Sequence, residues 1–107
     1  MLHSLSAQVS YYNQLIQSNP EWLFCGVYAD EALTGTKENR AEFQKLLNRC
    51  RRGEIDLILT KSISRFARNT VTLLETVREL KVLGVDVYFE EQRIHSMSSD
   101  GELMLSI

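Results

Sequence analysis

The sequence predicts an α/β fold in which a small, mostly parallel β-sheet is flanked by helices. Three apolar runs of strand length, residues 22–28, 56–60 and 85–90, alternate with segments in which apolar residues recur at helical spacing. This alternation is typical of parallel strands joined by right-handed helical crossovers. The chain has 107 residues, 44% of them hydrophobic, so we expect a single domain over residues 1–107 with a packed core.

The first helix is predicted from about Leu5 to Gln17, because apolar residues recur there at helical spacing. Ser4 is placed to cap its start, and Asn19-Pro20 ends it. The run at residues 22–28 is predicted to be a strand, and the polar residues 30–38 are predicted to be a loop.

A second helix is predicted after Asn39, which would cap it with Glu42 as the partner of a capping box. Gly53 is suited to the C-terminal cap of this helix. Its apolar stripe consists of Phe43, Leu46, Leu47 and Cys50.

A strand at residues 56–60 leads to a third helix, which begins near Asn69 or Thr70 and ends at Gly84. The apolar stripe of this helix is predicted to comprise Val71, Leu74, Val77 and Leu80, widened by Leu73 and Leu83. A third strand follows at residues 85–90. Residues 93–100 form a polar connection with a short extended piece at 93–95, and Gly101 opens the first turns of another helix.

Composition excludes several functional classes. Neither Cys25 and Cys50 nor His3 and His95 have the spacing of a metal site, so we expect them to form none. No apolar run approaches membrane length and no signal-peptide pattern is present, so we expect a cytoplasmic protein without a membrane partner.

The charge distribution is more informative than the net charge of −2. Residues 49–68 carry six lysines and arginines against two acidic residues, and local clustering of bases is what creates an electrostatic footprint for nucleic acid. The alternative for the bases at 49–52 is the ordinary preference of cations for the last turn of a helix.

The segment Lys61–Asn69 (KSISRFARN) carries the strongest functional signal. It follows a predicted buried strand, at the edge where open α/β sheets bind ligands. Arg65 and Arg68 offer planar, permanently charged donors that match phosphate oxygens, so the pair indicates a phosphate-binding site. The alternative is a structural ion pair or a contact at the start of a helix.

Five collinear segments together resemble the catalytic domain of the serine site-specific recombinases, the resolvase/invertase family, and most closely its large members. They are Ser4–Gln8 (SLSAQ), Gly26–Thr36 (GVYADEALTGT), Asn39–Phe43 (NRAEF), Asp56–Asn69 (DLILTKSISRFARN) and Asp100–Leu103 (DGEL). The resemblance implies cleavage and rejoining of DNA through a phosphoserine intermediate. It also implies a homo-oligomer, a dimer that forms a synaptic tetramer in the full-length protein, with no metal or cofactor.

The resemblance also implies roles for individual residues. By position, Arg40, Arg65 and Arg68 match arginines that surround the scissile phosphate, and Gln8 matches a glutamine of the same site. Fixed guanidinium groups would stabilise the charge that gathers on the phosphate oxygens in the transition state.

The sequence departs from the family pattern at the nucleophile. The family's serine lies in a Tyr-x-Arg-x-Ser pattern on an N-terminal strand, and no such pattern occurs here. We therefore expect a catalytic domain that lacks its first strand, its nucleophilic serine and most of its last helix, and that is inactive alone. We also expect it to oligomerise through an open sheet edge or through Leu103, Met104 and Ile107.

Two other functions remain open. A phosphate-binding module with a receiver-like fold would need clustered carboxylates to hold a metal, and Asp30-Glu31 is the candidate pair. A non-catalytic partner that oligomerises with intact recombinases is also compatible with the sequence.

Overall fold

The computed structural model of the chain describes residues 4–29 and 40–105, with side chains for residues 6–29 and 40–103. The chain divides into two compact units, residues 1–48 and residues 49–107. The single domain expected over residues 1–107 stays a prediction.

The first unit begins with helix α1 at Ser4–Gln17, which confirms the first predicted helix. Ser4 is its first residue, so the helix starts at the residue expected to cap it. The chain leaves α1 through a turn in which the Asn19 side chain accepts a hydrogen bond from the Glu21 N–H (2.9 Å). The apolar residues Val9, Tyr12 and Ile16 are only half-buried.

The strand predicted at residues 22–28 is wrong, because residues 22–29 have no regular secondary structure. Gly26 adopts φ +115°, which is incompatible with an extended ladder, and the Tyr28 hydroxyl donates back to the Cys25 carbonyl (3.3 Å). An apolar run therefore forms a half-buried irregular stretch here. The predicted loop at residues 30–38 lies outside the described residues.

Helix α2 spans Ala41–Arg51, and the Gln44 N–H donates to the Arg40 carbonyl (3.0 Å). This bond makes Arg40 the N-cap, one residue later than the predicted cap Asn39, which lies outside the described residues. Glu42 pairs with Lys45 (2.9 Å). The predicted stripe is confirmed, since Phe43, Leu47 and Cys50 are buried and Leu46 is half-buried.

The end of α2 is a Schellman motif, as the glycine predicted. Gly53 has φ +76°, its N–H donates to the Cys50 carbonyl (3.0 Å), and the Glu54 N–H donates to the Arg49 carbonyl (3.0 Å). These bonds satisfy carbonyls that the helix would otherwise leave unpaired, and they turn the chain toward the next strand.

The second unit contains a three-stranded sheet of order β1-β2-β3. Strands β1 (Leu57–Thr60) and β2 (Asp86–Phe89) are parallel, with Ile58 opposite Val87. Strand β3 (Ile94–His95) is antiparallel to β2 and is the short extended piece that the sequence predicted. The parallel βαβ arrangement is confirmed.

Two helices connect β1 to β2. The one-turn helix α3 spans Ile63–Phe66, and α4 spans Thr70–Val82. The Asn69 side chain caps α4 by accepting the Thr72 N–H (2.8 Å).

The buried stripe of α4 differs from the predicted one. Leu73, Val77 and Leu80 are buried, whereas Val71 is 67% exposed. The predicted stripe is therefore wrong at Val71 and at Leu83, which is 39% exposed, because the helix packs only through the face that carries Leu73, Val77 and Leu80. Gly84 (φ +79°) ends α4 with a second Schellman motif.

The last helix, α5, spans Ser99–Leu105 and begins two residues before the predicted Gly101. Ser98 precedes it, and its Oγ accepts the Gly101 N–H (3.0 Å). Gly101 is buried against the chain at His95, where a Cβ atom would lie 2.0 Å from the His95 carbonyl oxygen. Only glycine allows this close approach.

Candidate phosphate-binding site

The predicted phosphate-binding segment runs from the carboxyl end of β1 to the start of α4. It contains α3, which was not predicted because 4 residues are too few to show helical periodicity. The signal that could have found α3 is Ser62, a residue type favoured at N-caps. The Ser62 Oγ accepts the Arg65 N–H (3.3 Å) and lies 3.1 Å from the Ser64 Oγ.

Helix α3 is anchored to the core by its buried side chains. Phe66 is 2% exposed and its ring meets the ring of Phe89 edge-on, with centroids 5.7 Å apart. Ser62 and Ala67 are also buried. Burial of these three side chains determines which side of the turn faces solvent.

Arg65 and Arg68 lie on the exposed side of this segment. Arg65 is in the last turn of α3, and Arg68 lies between α3 and the Asn69 cap of α4. The start of α4 adds the positive end of a helix dipole to the two guanidinium charges. The segment therefore presents two positively charged side chains on an anchored backbone at the carboxyl edge of the sheet.

Arg40 and Gln8 belong to the first unit. The Arg40 Cζ lies 3.8 Å from the centre of the Phe43 ring, a cation–π contact, and Gln8 is a half-buried residue of α1. Arg65 and Arg68 lie three residues apart in one exposed segment. Convergence of Arg40 and Gln8 on the same phosphate stays a prediction.

The bases at the end of α2 are engaged in surface ion pairs. Arg49 and Arg52 both bond the Glu54 carboxylate (2.9 and 2.7 Å), so hydrogen bonds from Arg52 and then Arg49 hold the pKa of Glu54 below its usual value. Arg51 bonds both oxygens of Glu79 (2.6 and 3.0 Å), and this hydrogen bonding lowers the pKa of Glu79. These three arginines neutralise carboxylates on the protein surface. This agrees with the alternative given above, in which the bases at 49–52 stabilise a helix end and do not bind nucleic acid.

Within residues 4–29 and 40–105, no group of three or more histidine, cysteine, aspartate or glutamate side chains is arranged to hold a metal ion. The candidate pair for a receiver-like site, Asp30-Glu31, lies outside that part of the chain. In the same described part, no helix is long and apolar enough to cross a membrane.

Comparison with known proteins identifies the class to which this fold and segment belong. A family model described as "Resolvase, N terminal domain" matches residues 2–107, so the chain belongs to that family, the resolvase-like catalytic domains of the serine recombinases. Among solved structures, the N-terminal catalytic domain of TP901-1 integrase has the same fold. The TM-score is 0.78 at 22% sequence identity, over 97% of this chain and 80% of that chain. No curated protein sequence matches significantly.

These comparisons confirm the predicted family and the predicted α/β fold class. The three-stranded sheet flanked by helices corresponds to the fold of the integrase catalytic domain.

Proposed function

We propose that this chain binds a DNA phosphodiester as part of a site-specific recombinase that cuts and rejoins DNA through a phosphoserine intermediate. The observation that supports this most directly is the anchored segment that exposes Arg65 and Arg68 at the carboxyl edge of the sheet. Family membership supports DNA as the source of the phosphate, because resolvases act on DNA.

The chemistry assigned to Arg65 and Arg68 is electrostatic. A phosphodiester attacked by a hydroxyl gathers negative charge on its non-bridging oxygens, and guanidinium groups held in place stabilise that charge without reorganising. The buried side chains of the turn support this role, because they hold the backbone from which both arginines extend. We assign Arg40 and Gln8 supporting roles at the same phosphate.

The nucleophile is not assigned to any residue of this sequence. No Tyr-x-Arg-x-Ser pattern occurs in it, and the Ser62 side chain is buried and hydrogen-bonded at the cap of α3. The chain alone should therefore bind phosphate without cutting DNA. Incubation with random-sequence duplexes should leave no covalent protein–DNA adduct on a denaturing gel, and an adduct mapped to a serine of this chain would overturn that assignment.

The phosphate site is tested by NMR of the arginine Nε–H groups during titration with thymidylyl-thymidine, a minimal phosphodiester. We expect the Arg65 and Arg68 signals to shift together along one binding curve. Arg78, an exposed arginine on α4, serves as the internal control and should shift little.

Matched variants complete the test. Arg65→Ala and Arg68→Ala should each weaken binding about tenfold, because each removes a charge-assisted hydrogen bond that contributes about 1.5 kcal/mol or more. Arg78→Ala should leave binding unchanged, and all three variants should unfold within about 0.5 kcal/mol of the parent, as exposed substitutions do. Equal shifts at all three arginines, or variants that lose binding only as they unfold, would show that the pair is not a specific phosphate site.

A further inference from the structure

The turn between β2 and β3 is bonded to the start of the phosphate-binding segment. The Glu90 N–H donates to the Thr60 carbonyl and the Glu91 N–H to the Lys61 carbonyl, both at 2.9 Å. The first bond continues the parallel ladder beyond the ends of β1 and β2, and the second joins the turn to the residue that follows β1. Residues 60–61 and residues 90–91 are therefore held side by side.

Gln92, the next residue of this turn, bonds α3 itself. Its Oε1 accepts the N–H of Ile63 at 3.3 Å. Ile63 is the first residue of α3, and an N–H at that position has no partner inside its own helix. A backbone N–H can only donate, so the oxygen of the Gln92 amide must face it.

The helix start thus has two side-chain acceptors of different origin. Ser62, the local cap, accepts the Arg65 N–H, whereas Gln92 accepts the Ile63 N–H from 29 residues further along the chain. A turn at Arg93 with φ +55°, unusual for a residue other than glycine, follows Gln92 directly. The Arg93 N–H closes this turn by donating to the Glu90 carbonyl (3.1 Å).

We propose that Gln92 is a positioning residue that sets the orientation of Arg65 and Arg68. A one-turn helix has too few internal hydrogen bonds to fix its own direction, so external anchors decide it. Phe66 fixes the depth of α3 against Phe89, and Gln92 fixes its N-terminal end. The inference rests on the proposed function, because orientation of the two arginines matters only if they bind a phosphate.

The experiment compares Gln92→Met with Gln92→Glu. Methionine keeps the length and approximate volume of the side chain without the acceptor, whereas glutamate keeps an acceptor oxygen. Gln44→Met, at an exposed position of α2, is the control for replacing a surface glutamine. Each variant is measured for hydrogen exchange at the Ile63 N–H, for the NMR order parameters of the Arg65 and Arg68 Nε–H groups, and for thymidylyl-thymidine binding.

In Gln92→Met, exchange of the Ile63 N–H should accelerate about fivefold, as expected when one hydrogen bond is lost. The order parameters of both arginines should fall, and binding should weaken about threefold to tenfold. Gln92→Glu should restore slow exchange and arginine order, and Gln44→Met should leave all three measurements unchanged.

The outcomes separate this inference from the proposed function. If the parent chain fails to bind thymidylyl-thymidine, the proposed function is wrong, while exchange and arginine order still decide whether Gln92 positions the segment. If the parent binds and Gln92→Met binds equally well with unchanged arginine order, the positioning role is wrong. A fall in the thermal midpoint alone, without loss of arginine order, would show that Gln92 stabilises the fold and does nothing more.

Discussion

Replacing Gly101 with alanine gives a sharp test of the packing described for α5, because two effects have opposite signs. In an open helix position, alanine would stabilise the protein by about 1 kcal/mol through its higher helix propensity. Here the new Cβ would lie 2.0 Å from the His95 carbonyl oxygen and 3.0 Å from the Ser96 carbonyl oxygen. Both are backbone atoms, so no side-chain rotation relieves the overlap.

The size of the effect follows from the required movement. Relief to an ordinary contact at 3.4 Å moves α5 away from the His95 carbonyl by about 1.4 Å, and overpacking of this kind costs about 1–3 kcal/mol. The His95 carbonyl also accepts the Ser98 N–H (3.1 Å) and the Ser98 Oγ (2.7 Å). Weakening these bonds adds about 1 kcal/mol. The helix propensity of alanine offsets about 1 kcal/mol of this cost, so the net loss should be about 2 kcal/mol, and the thermal midpoint should fall by about 10 °C.

Urea denaturation followed by circular dichroism measures this loss, with Ser99→Ala, an exposed substitution in the same helix, as the control. The control should stay within about 0.5 kcal/mol of the parent. A Gly101→Ala variant that is equally stable or more stable would refute the close approach of α5 to His95.

Three further predictions concern single side chains. Asn69→Ala should lower the free energy of unfolding by about 1 kcal/mol in urea denaturation, because it removes the α4 cap, and Asn69→Ser should recover most of the loss. Burial raises the pKa of Cys50 to about 11. At pH 8, iodoacetamide should therefore modify Cys50 in the native protein much more slowly than Cys25, which is only half-buried. Equal rates of modification by mass spectrometry would contradict the burial of Cys50. Leu103 is 69% exposed on α5, so self-association in sedimentation should weaken in Leu103→Glu, and an unchanged profile would exclude this residue from the contact.

Sequence patterns predicted the elements whose signals are local. Helix α4 and strands β1 and β2 follow from periodicity and from apolar runs of strand length, and Gly53 and Gly84 mark helix ends because only a left-handed residue completes each cap. The sequence did not determine as well which face of α4 is buried. Val71 and Leu73 are both apolar, and the choice between them depends on what the helix packs against.

The errors share a physical cause, which is dependence on distant partners. Residues 22–28 have the composition of a strand, but a strand also needs a neighbour to pair with, and a sequence pattern does not reveal one. The candidate site likewise has a part with a local sequence signal and a part without one. Arg65 and Arg68 were evident from the sequence, whereas the bond from Gln92 to Ile63 joins residues 29 apart and has no local signature.

The connection between β1 and β2 has a consequence for folding kinetics. Four residues separate Phe89 from Ile94, whereas 25 residues separate Thr60 from Asp86. Closing the longer loop costs about 1.5 kcal/mol more in chain entropy, but the short β2–β3 pair is too small to be stable without β1. We therefore place the pairing of β1 with β2 at the rate-limiting barrier. Early formation of α4 would stiffen the connecting segment, so the strength of its Asn69 cap should influence how fast the second unit folds as well as how stable it is.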